Sequence, residues 1–500
     1  MKLSADLLKR LDLSAAATQV TTEYLDRFPV LISDRCLADS TNKLVRLVAS
    51  DFSSGTSVST STLSMPRKGF GPRPVTVLSA RDRVLYEALV NHLRPSLAAE
   101  SRAKDNWVAF KEFGLSQDPD APKYVVSLDI ASMYEYVDHQ VLKRELLVQT
   151  LERPPVEALI DLLGEAFGFA RAIPQMMSAS DLLGDVYLGM LERDLLRYGY
   201  HLARYADDFR VLATSWGEAH RIIEHAAEAA RSLGLVLSSE KTTVRLASTL
   251  LEEEAGLQDL VDKYFKEARA DLTVFDDLMD WYGEANQVEI DPEDSEAMQE
   301  AFRRVLHDWA APSTRSSIPT RLTSKAIRSL GAASERVGDD ILRALIDADP
   351  LKLSSVISYF NSRATEADAN LRSVKMLTEM ERQSPWAKIW LLTAVDTWSD
   401  DDSADAKALT TWASAQITDE HEVVRAEAAW VLARSRSLEE RGLGELFGRA
   451  TRTTRPGLAA ALGRLGVPPS NALTRSIVGA SPIHKEAYEW GQGVDAPGSQ

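Results

Sequence analysis

The chain has 500 residues, 45 % of them hydrophobic and 26 % charged, a globular composition in a chain too long for one hydrophobic core. It has no run of about 18 apolar residues, the minimum for a membrane span, and its single Cys36 excludes an internal disulfide. Residues 1–250 hold 29 basic and 32 acidic side chains, whereas residues 251–500 hold 28 and 42. We therefore expect a cytoplasmic protein of two or three domains, without a membrane partner, whose acidity lies mainly in its second half.

The first 250 residues mix strand and helix patterns. A Ser/Thr/Gly-rich stretch at 53–64 predicts a loop, and the glycines and prolines of 69–74 predict a turn before a short β-branched strand. A further strand is predicted over 124–130, and helical spacing follows over 137–150. This strand carries Asp129 close to its end.

Residues 201–214 predict a strand, a tight turn and a returning strand, with Ala206, Asp207 and Asp208 at the turn. The next segment begins with Ser215 and, three residues later, Glu218, a capping-box pattern that predicts a helix N-terminus. The two aspartates are therefore expected at the tip of a hairpin that leads into a helix.

From about Leu251 onward the pattern is helical, with almost no strand signal. Pro350 and Pro385 predict helix starts, and paired helices of this size without a strict sequence period predict an irregular α-solenoid of the HEAT type. We therefore expect a mixed domain over 1–250, an all-α HEAT-like domain over 251–490 and a flexible Gly/Pro-rich tail over 491–500.

Three acidic residues, Asp129, Asp207 and Asp208, are the strongest candidates for chemistry. Acids between apolar strands cost free energy unless a cation compensates them. Mg²⁺ prefers hard oxygen ligands, and two ions about 3.5–4 Å apart stabilise both the entering and the leaving oxygen of a phosphoryl transfer. The sequence therefore predicts a two-metal site built from these carboxylates, for Mg²⁺ or for Mn²⁺, which accepts the same ligands.

The run Tyr205-Ala206-Asp207-Asp208 resembles the YxDD signature of reverse transcriptases, and other motifs of that family follow the required order over about 60–250. The resemblance implies an α+β domain of fingers and palm that joins deoxynucleoside triphosphates. Residues 127–142 resemble the first catalytic motif. There Asp129 would bind metal, Ile130 would lend its backbone carbonyl, and Tyr134 would be the aromatic gate that collides with a 2′-hydroxyl.

Residues 173–175, Ile-Pro-Gln, resemble the family's PQG motif. The resemblance implies that Gln175 touches the incoming nucleotide and the template. Ala172 and Met176 stand where glycines are usual, so the loop is stiffer and its side chains fill space near the template base. This departure argues against ordinary templated copying.

Three basic residues resemble the family's triphosphate contacts. Lys241 would lie near the triphosphate and either protonate or neutralise the leaving pyrophosphate. Lys68 and Arg73 would grip the triphosphate, and the guanidinium of Arg73 suits bidentate phosphate contact.

The combination of this domain with a helical one resembles the abortive-infection reverse transcriptases of bacterial phage defence. The resemblance implies a homo-oligomer that makes single-stranded DNA without a template, covalently attached to a priming tyrosine. Tyr24 is the first candidate for that tyrosine, and a role as a helix aromatic in the core is the alternative. Two other functions stay open: a templated polymerase of the retron or group II intron type, and a non-catalytic, nucleotide-bound scaffold.

Overall fold

The computed structural model describes residues 1–67, 71–97, 102, 104–115, 122–253, 264, 292–315, 318, 320–333, 335–398 and 403–494. Within these ranges the strands lie between residues 60 and 246, and the regular elements that follow are helices. The division into a mixed first half and a helical second half is therefore as the sequence predicts.

The first half contains helices packed around two antiparallel sheets. The helices are α1 Ala5–Arg10, α2 Leu13–Thr22, α3 Ile32–Arg35, α4 Thr41–Ser54, α5 Ala80–Leu93, α6 Lys104–Glu112, α7 Met133–Tyr136, α8 His139–Thr150, α9 Arg153–Phe167, α10 Ser178–Arg197 and α11 Trp216–Ser232. The strands are β1 Thr60–Pro66, β2 Pro72–Leu78, β3 Tyr124–Asp129, β4 Leu202–Tyr205, β5 Asp208–Ala213 and β6 Thr243–Leu246. Strands β1 and β2 form one sheet, and the other has the order β4-β5-β3-β6.

The predicted hairpin and the predicted helix after it are both present. Strands β4 and β5 pair antiparallel around a turn at Ala206 and Asp207, and Asp208 is the first residue of β5. The Ser215 hydroxyl accepts the Glu218 amide at 3.2 Å and caps α11. Local signals alone specify this part of the sheet and its connection.

The loop predicted over 53–64 is wrong at both ends. Helix α4 continues to Ser54, and β1 begins at Thr60. In β1 the side chains of Leu63 and Met65 alternate into the core, so burial overrides the weak strand propensity of the serines around them. The outcome is an antiparallel β1–β2 pair in which Met65 and Pro66 of β1 and Arg73 of β2 border the candidate site.

The second half is a run of helices. They are α12 Pro292–Ala310, α13 Thr320–Ser329, α14 Asp339–Ala348, α15 Leu353–Ser362, α16 Ala367–Thr378, α17 Pro385–Trp398, α18 Ala404–Ala415, α19 Glu422–Arg434, α20 Glu440–Arg449, α21 Arg455–Arg464, α22 Ala472–Ala480 and α23 Pro482–Val494. The start at Pro385 is as predicted, whereas Pro350 opens a 3₁₀ turn that leads into α15. Helix α23 runs four residues past the predicted start of the tail, and residues 495–500 lie outside the described residues.

The helices of the second half stack in two rows. Each of α13, α15, α17, α19, α21 and α23 packs on the next member of that series, and α14, α16 and α18 do the same in a second row. Backbones approach closely in the last pair, because a side chain at Gly463 would collide with the carbonyl of Tyr488 and one at Gly491 with that of Ala460. No helix in the described ranges combines the length and apolar character needed to cross a membrane.

The interface between the two halves contains both packed elements and hydrogen bonds. Helix α3 packs on α19 and α21, and β1 packs on α17. The Ile32 amide, at the start of α3, donates to the buried Glu427 carboxyl of α19 at 2.7 Å. The indole of Trp386 in α17 donates to the Arg27 carbonyl at 2.7 Å. These contacts hold the helical half against the N-terminal segment that borders the candidate site.

Candidate active site

A cavity of about 1150 Å³ lies between the β1–β2 hairpin, the four-stranded sheet and the helical half. Most of the residues named from the sequence line it. They are Tyr24, Arg73, Asp129, Ile130, Tyr134, Gln175, Asp207 and Lys241. Asp208 is at the edge of this group and is not part of the lining, and Lys68 lies outside the described residues.

The sheet brings the three aspartates together. Asp129 ends β3 and pairs directly with Asp208 of β5, while Asp207 occupies the hairpin turn. The residue before it, Ala206, has φ 53, a left-handed conformation that glycine or asparagine adopts more readily. This turn orients Asp207 into the cavity lined by Asp129, although the two residues are 78 positions apart in the chain.

The three carboxyl groups repel one another. Removal from bulk water raises the pKa of Asp208 to about 6, with further increases from Asp207 and then Asp129. Burial also raises the pKa of Asp129, against the opposing effect of Lys241. A site that holds like charges this close favours a cationic ligand.

The three carboxylates suit a divalent cation, but they are not arranged around a common metal position. Among the described residues no three acidic, histidine or cysteine side chains are arranged to hold a metal ion. The Lys241 ammonium instead lies 2.9 Å from Asp129 Oδ1. The carboxylate oxygens are the hard ligands that Mg²⁺ prefers, and a lysine now neutralises one of them.

Helix α10 supports the aspartate hairpin through residues that sequence reasoning missed. Arg204 of β4 donates to Asp185 Oδ1 at 2.6 Å, to Glu192 Oε2 at 2.8 Å and to the Ala206 carbonyl at 3.0 Å. Arg204 and Asp185 are both buried. In the sequence, Asp185 and Glu192 recur along α10 and Arg204 comes directly before the YxDD-like run. No local pattern, however, links the arginine to these acids.

Tyr134 is held at its hydroxyl. It donates to Asp181 Oδ1 at 2.6 Å and accepts from Arg102 Nη2 at 2.6 Å. Its carbonyl accepts the Ile173 amide at 2.9 Å, so the gate candidate is also bonded to the loop of the PQG-like motif. Neither Asp181 nor Arg102 was singled out from the sequence.

In the loop of the PQG-like motif, two residues other than glycine adopt a backbone conformation that favours glycine. Ala172 has φ 80 and Met176 has φ 64, both in the left-handed region. The Met176 side chain lines the cavity. The Gln175 amide is buried and donates to the Pro74 carbonyl at 2.8 Å, which ties this loop to β2.

Arginines of the N-terminal half face the same cavity. Burial lowers the pKa of Arg73, and the nearby charges of Arg67 and Arg27 lower it further, whereas Asp207 raises it. Arg67 also donates to the Ser132 hydroxyl at 3.0 Å and to Glu135 Oε1 at 3.2 Å. Clustered guanidinium groups favour an anionic ligand such as a polyphosphate. The sequence indicated Arg73 only, since Arg27 and Arg67 carry no motif of their own.

Tyr24 and Tyr134 are the tyrosines found in the described lining of the cavity. Tyr24 follows α2, is partly exposed and donates its hydroxyl to the Thr21 carbonyl at 2.9 Å. Burial and then the charge of Asp34 raise the pKa of Tyr24. The side chain therefore belongs to the site, with its hydroxyl protonated at neutral pH.

The helical half contributes basic side chains to the lining despite its acidic composition. Lys325, Arg328 and Lys352 line the cavity, together with three serines of the same region. Lys352 is buried, bonds the Ser324 hydroxyl and lies 3.9 Å from Asp349. This half thus contributes three basic side chains and one acidic one, Asp349, to the cavity that the aspartates line.

Comparison with known proteins shows a family similarity for one segment of the chain. Residues 65–290 match the family model described as reverse transcriptase (RNA-dependent DNA polymerase). The match extends past residue 250, up to the start of α12. No curated protein matches this chain.

Among solved structures, two telomerases are similar to this chain. Telomerase from Candida albicans in complex with a TWJ fragment of telomeric RNA is 11 % identical with a TM-score of 0.30, over 77 % of this chain and 63 % of the other. The apo telomerase from Candida tropicalis is 12 % identical with a TM-score of 0.30, over 77 % and 72 %. This chain thus spans less than two thirds of the first structure's length. Residues 65–290, a little under half of this chain, are thus similar to the reverse transcriptase family.

Proposed function

We propose that this protein is a phage-defence, reverse transcriptase-like DNA polymerase that joins deoxynucleotides without a template, primed by a tyrosine of its own. The observation that carries the proposal is the shared cavity of Asp129, Asp207, Arg73 and Lys241. Carboxylates for cations and basic groups for a triphosphate are the two requirements of nucleotidyl transfer.

The residues divide into roles by their chemistry. Asp129, Asp207 and Asp208, with the Ile130 carbonyl, would hold two Mg²⁺ or Mn²⁺ ions. When bound, such ions would neutralise the charge that builds on the entering and leaving oxygens. Lys241 would then be free of Asp129, and its ammonium would neutralise or protonate the departing pyrophosphate. Arg73 would orient the triphosphate, and Lys68 would join it there.

Template independence is supported by the loop of the PQG-like motif. The Met176 side chain takes up space in the cavity, and the Gln175 amide is already bonded to Pro74. Lys325, Arg328 and Lys352 would contact the phosphates of a single product strand on the helical side. A cavity enclosed in this way suits one strand better than a duplex.

Self-priming is supported by Tyr24, whose side chain shares the cavity with Asp207. A phenolic hydroxyl can replace the 3′-hydroxyl of a primer as the attacking group, and the product would then stay covalently attached. The two rows of stacked helices fit a HEAT-like domain. Homo-oligomer formation and the role in abortive infection rest on the resemblance to that family alone.

The first experiment asks what the purified protein does with radiolabelled deoxynucleoside triphosphates and Mg²⁺ in the absence of nucleic acid. We expect label that migrates with the protein on a denaturing gel, and loss of that label in Tyr24→Phe. Label that requires an added RNA and primer would favour the templated alternative, which the description of the matching family supports.

The second experiment replaces Asp207 with asparagine. Loss of an outer contact to a metal ligand already costs about 10–100-fold, so loss of a ligand should reduce incorporation by more than about 100-fold. The matched control is Asp194→Asn, an acid of α10 paired with Arg197 at the surface. If Asp207→Asn abolishes incorporation but leaves phage defence intact, the scaffold alternative is favoured.

A further inference from the structure

The gate candidate Tyr134 is fixed in a way that its motif does not require. Its hydroxyl lies between a carboxylate and a guanidinium, with Asp181 and Arg102 each 2.6 Å away. Arg102 and Asp181 also pair directly at 3.2 Å. The three groups form a closed triangle in which each pair is bonded.

Asp181 belongs to a rigid part of the molecule. It lies in the first turn of α10. The next residue towards the helix start, Ser180, is buried and bonds the Tyr86 hydroxyl at 2.7 Å. The loop before α10 is bonded to the gate through the Ile173 amide. Asp181 can therefore act as a fixed point for the tyrosine ring.

Helix α10 also lies beside the Tyr134 hydroxyl at Gly184. A side chain at Gly184 would come within 2.9 Å of the Met133 methyl and 3.9 Å of the Tyr134 hydroxyl. Gly184 thus lies beside the Tyr134 hydroxyl, and a side chain there would first meet the flexible end of Met133. The ring is bonded at its tip to two groups, which limits its freedom to move.

The position of the Tyr134 ring matters because an aromatic gate excludes ribonucleotides by steric collision with the 2′-hydroxyl. A ring that can swing aside lets a 2′-hydroxyl enter at little cost, whereas a fixed ring turns the same hydroxyl into a collision. Burial and the negative charge of Asp181 raise the pKa of Tyr134, so its hydroxyl stays protonated and remains a donor to the carboxylate.

We propose that Asp181, together with Arg102, positions the Tyr134 ring and thereby sets the discrimination between deoxy- and ribonucleotides. Asp181 is a positioning residue, since it acts through the tyrosine. The inference rests on the proposed function, because it assumes that the sugar of a nucleotide lies over this ring.

The test is a double-mutant cycle with Asp181→Ala and Tyr134→Phe, and with Asp194→Ala as the control on the same helix. Two ratios are measured: kcat/KM for dATP over ATP in Mg²⁺, and the ratio of the two dissociation constants in Ca²⁺ without turnover. Each single variant should lower the preference for dATP by about tenfold, the effect of one hydrogen bond to a charged group. The double variant should lower it no further, because both changes remove the same contact.

A purely structural role would give a different pattern. Asp181→Ala would then reduce use of both nucleotides equally and leave both ratios unchanged, which would overturn the proposal. Tyr134→Phe keeps the ring and is the milder change, so it decides the matter if Asp181→Ala folds poorly. If the wild-type protein incorporates neither nucleotide, the proposed function fails, and the binding ratio in Ca²⁺ still decides whether Asp181 sets sugar preference.

Discussion

The mixed first half and the helical second half differ in where their backbones adopt unfavourable conformations. Of the seven non-glycine residues with positive φ in the described ranges, six lie in the first half and one, Arg436, lies in the second. Four of those six, Arg27, Ser132, Met176 and Ala206, line the cavity. Each such conformation costs about 1–2 kcal/mol. Backbone strain is thus concentrated around the cavity, where it orients side chains, while the helical half keeps a regular backbone.

The largest expected effect comes from breaking one buried ion pair in each half. Asp185 pairs with Arg204 at 2.6 Å, and Asp396 of α17 pairs with Arg464 at 2.5 Å. Removal of one partner from a buried pair costs about 3–5 kcal/mol, so Asp185→Asn and Asp396→Asn should both lower the free energy of unfolding in urea by about 3 kcal/mol.

The two variants should differ in activity. Arg204 also holds the Ala206 carbonyl beside Asp207, so Asp185→Asn should lower kcat per folded molecule by about tenfold, as for other outer contacts of a metal ligand. Asp396→Asn should leave kcat within about twofold, since neither Asp396 nor Arg464 lines the cavity. Equal losses of kcat would show that the ion pairs of the two halves are not functionally distinct.

An intermediate effect is expected from relieving strain in each half. Ala206→Gly at φ 53 and Arg436→Gly at φ 51 should each raise the free energy of unfolding by about 1 kcal/mol. Ala206→Gly should also lower the rate of incorporation several-fold, because the turn that orients Asp207 becomes looser. Arg436→Gly should leave that rate unchanged, and a fall in its rate would contradict the contrast between the halves.

The smallest expected effect is in the pH dependence of stability at Asp208. The pKa of Asp208 is raised to about 6, so the folded state holds its proton more tightly than the unfolded state. The stabilisation is complete below the unfolded pKa of about 4 and is lost as the pH rises through about 6. Because the Asp208 side chain is exposed, the loss should be only about 1 kcal/mol after solvent screening.

The corresponding group of the helical half is Glu427, whose pKa burial raises to about 8. Its stabilisation has the same sign and is lost as the pH rises through about 8. Added Mg²⁺ should shift the Asp208 transition to lower pH and leave the Glu427 transition in place. Urea unfolding of Asp208→Asn and Glu427→Gln over pH 4 to 9 measures both, and a Mg²⁺ effect on Glu427 would contradict the assignment.

Much of the fold followed from local patterns in the sequence. The hairpin around Asp207, the cap at Ser215 and the helix start at Pro385 each depend on residues within a few positions of one another. The shared cavity of Asp129 and Asp207 was also within reach, because the resemblance to a family supplied the long-range pairing that spacing alone lacks.

The features that could not be predicted from the sequence depend on tertiary contacts. Arg102 and Asp181 are 79 residues apart in the chain and become partners only when α10 packs beside the gate. The strand at 60–66 was missed because burial of Leu63, not strand propensity, decides it. The left-handed conformation of Ala172 could not be predicted, since alanine rarely adopts it without support from its surroundings.

The hydrogen bond from the Ile32 amide to Glu427 spans 395 residues. A ribosome that adds about 5–20 residues per second needs about 20–80 s to travel that distance. Until then α3 lacks the partner for its first amide, and the Arg27 carbonyl lacks the Trp386 indole. Docking of α3 on the helical half must therefore wait until residues beyond Glu427 have been synthesised.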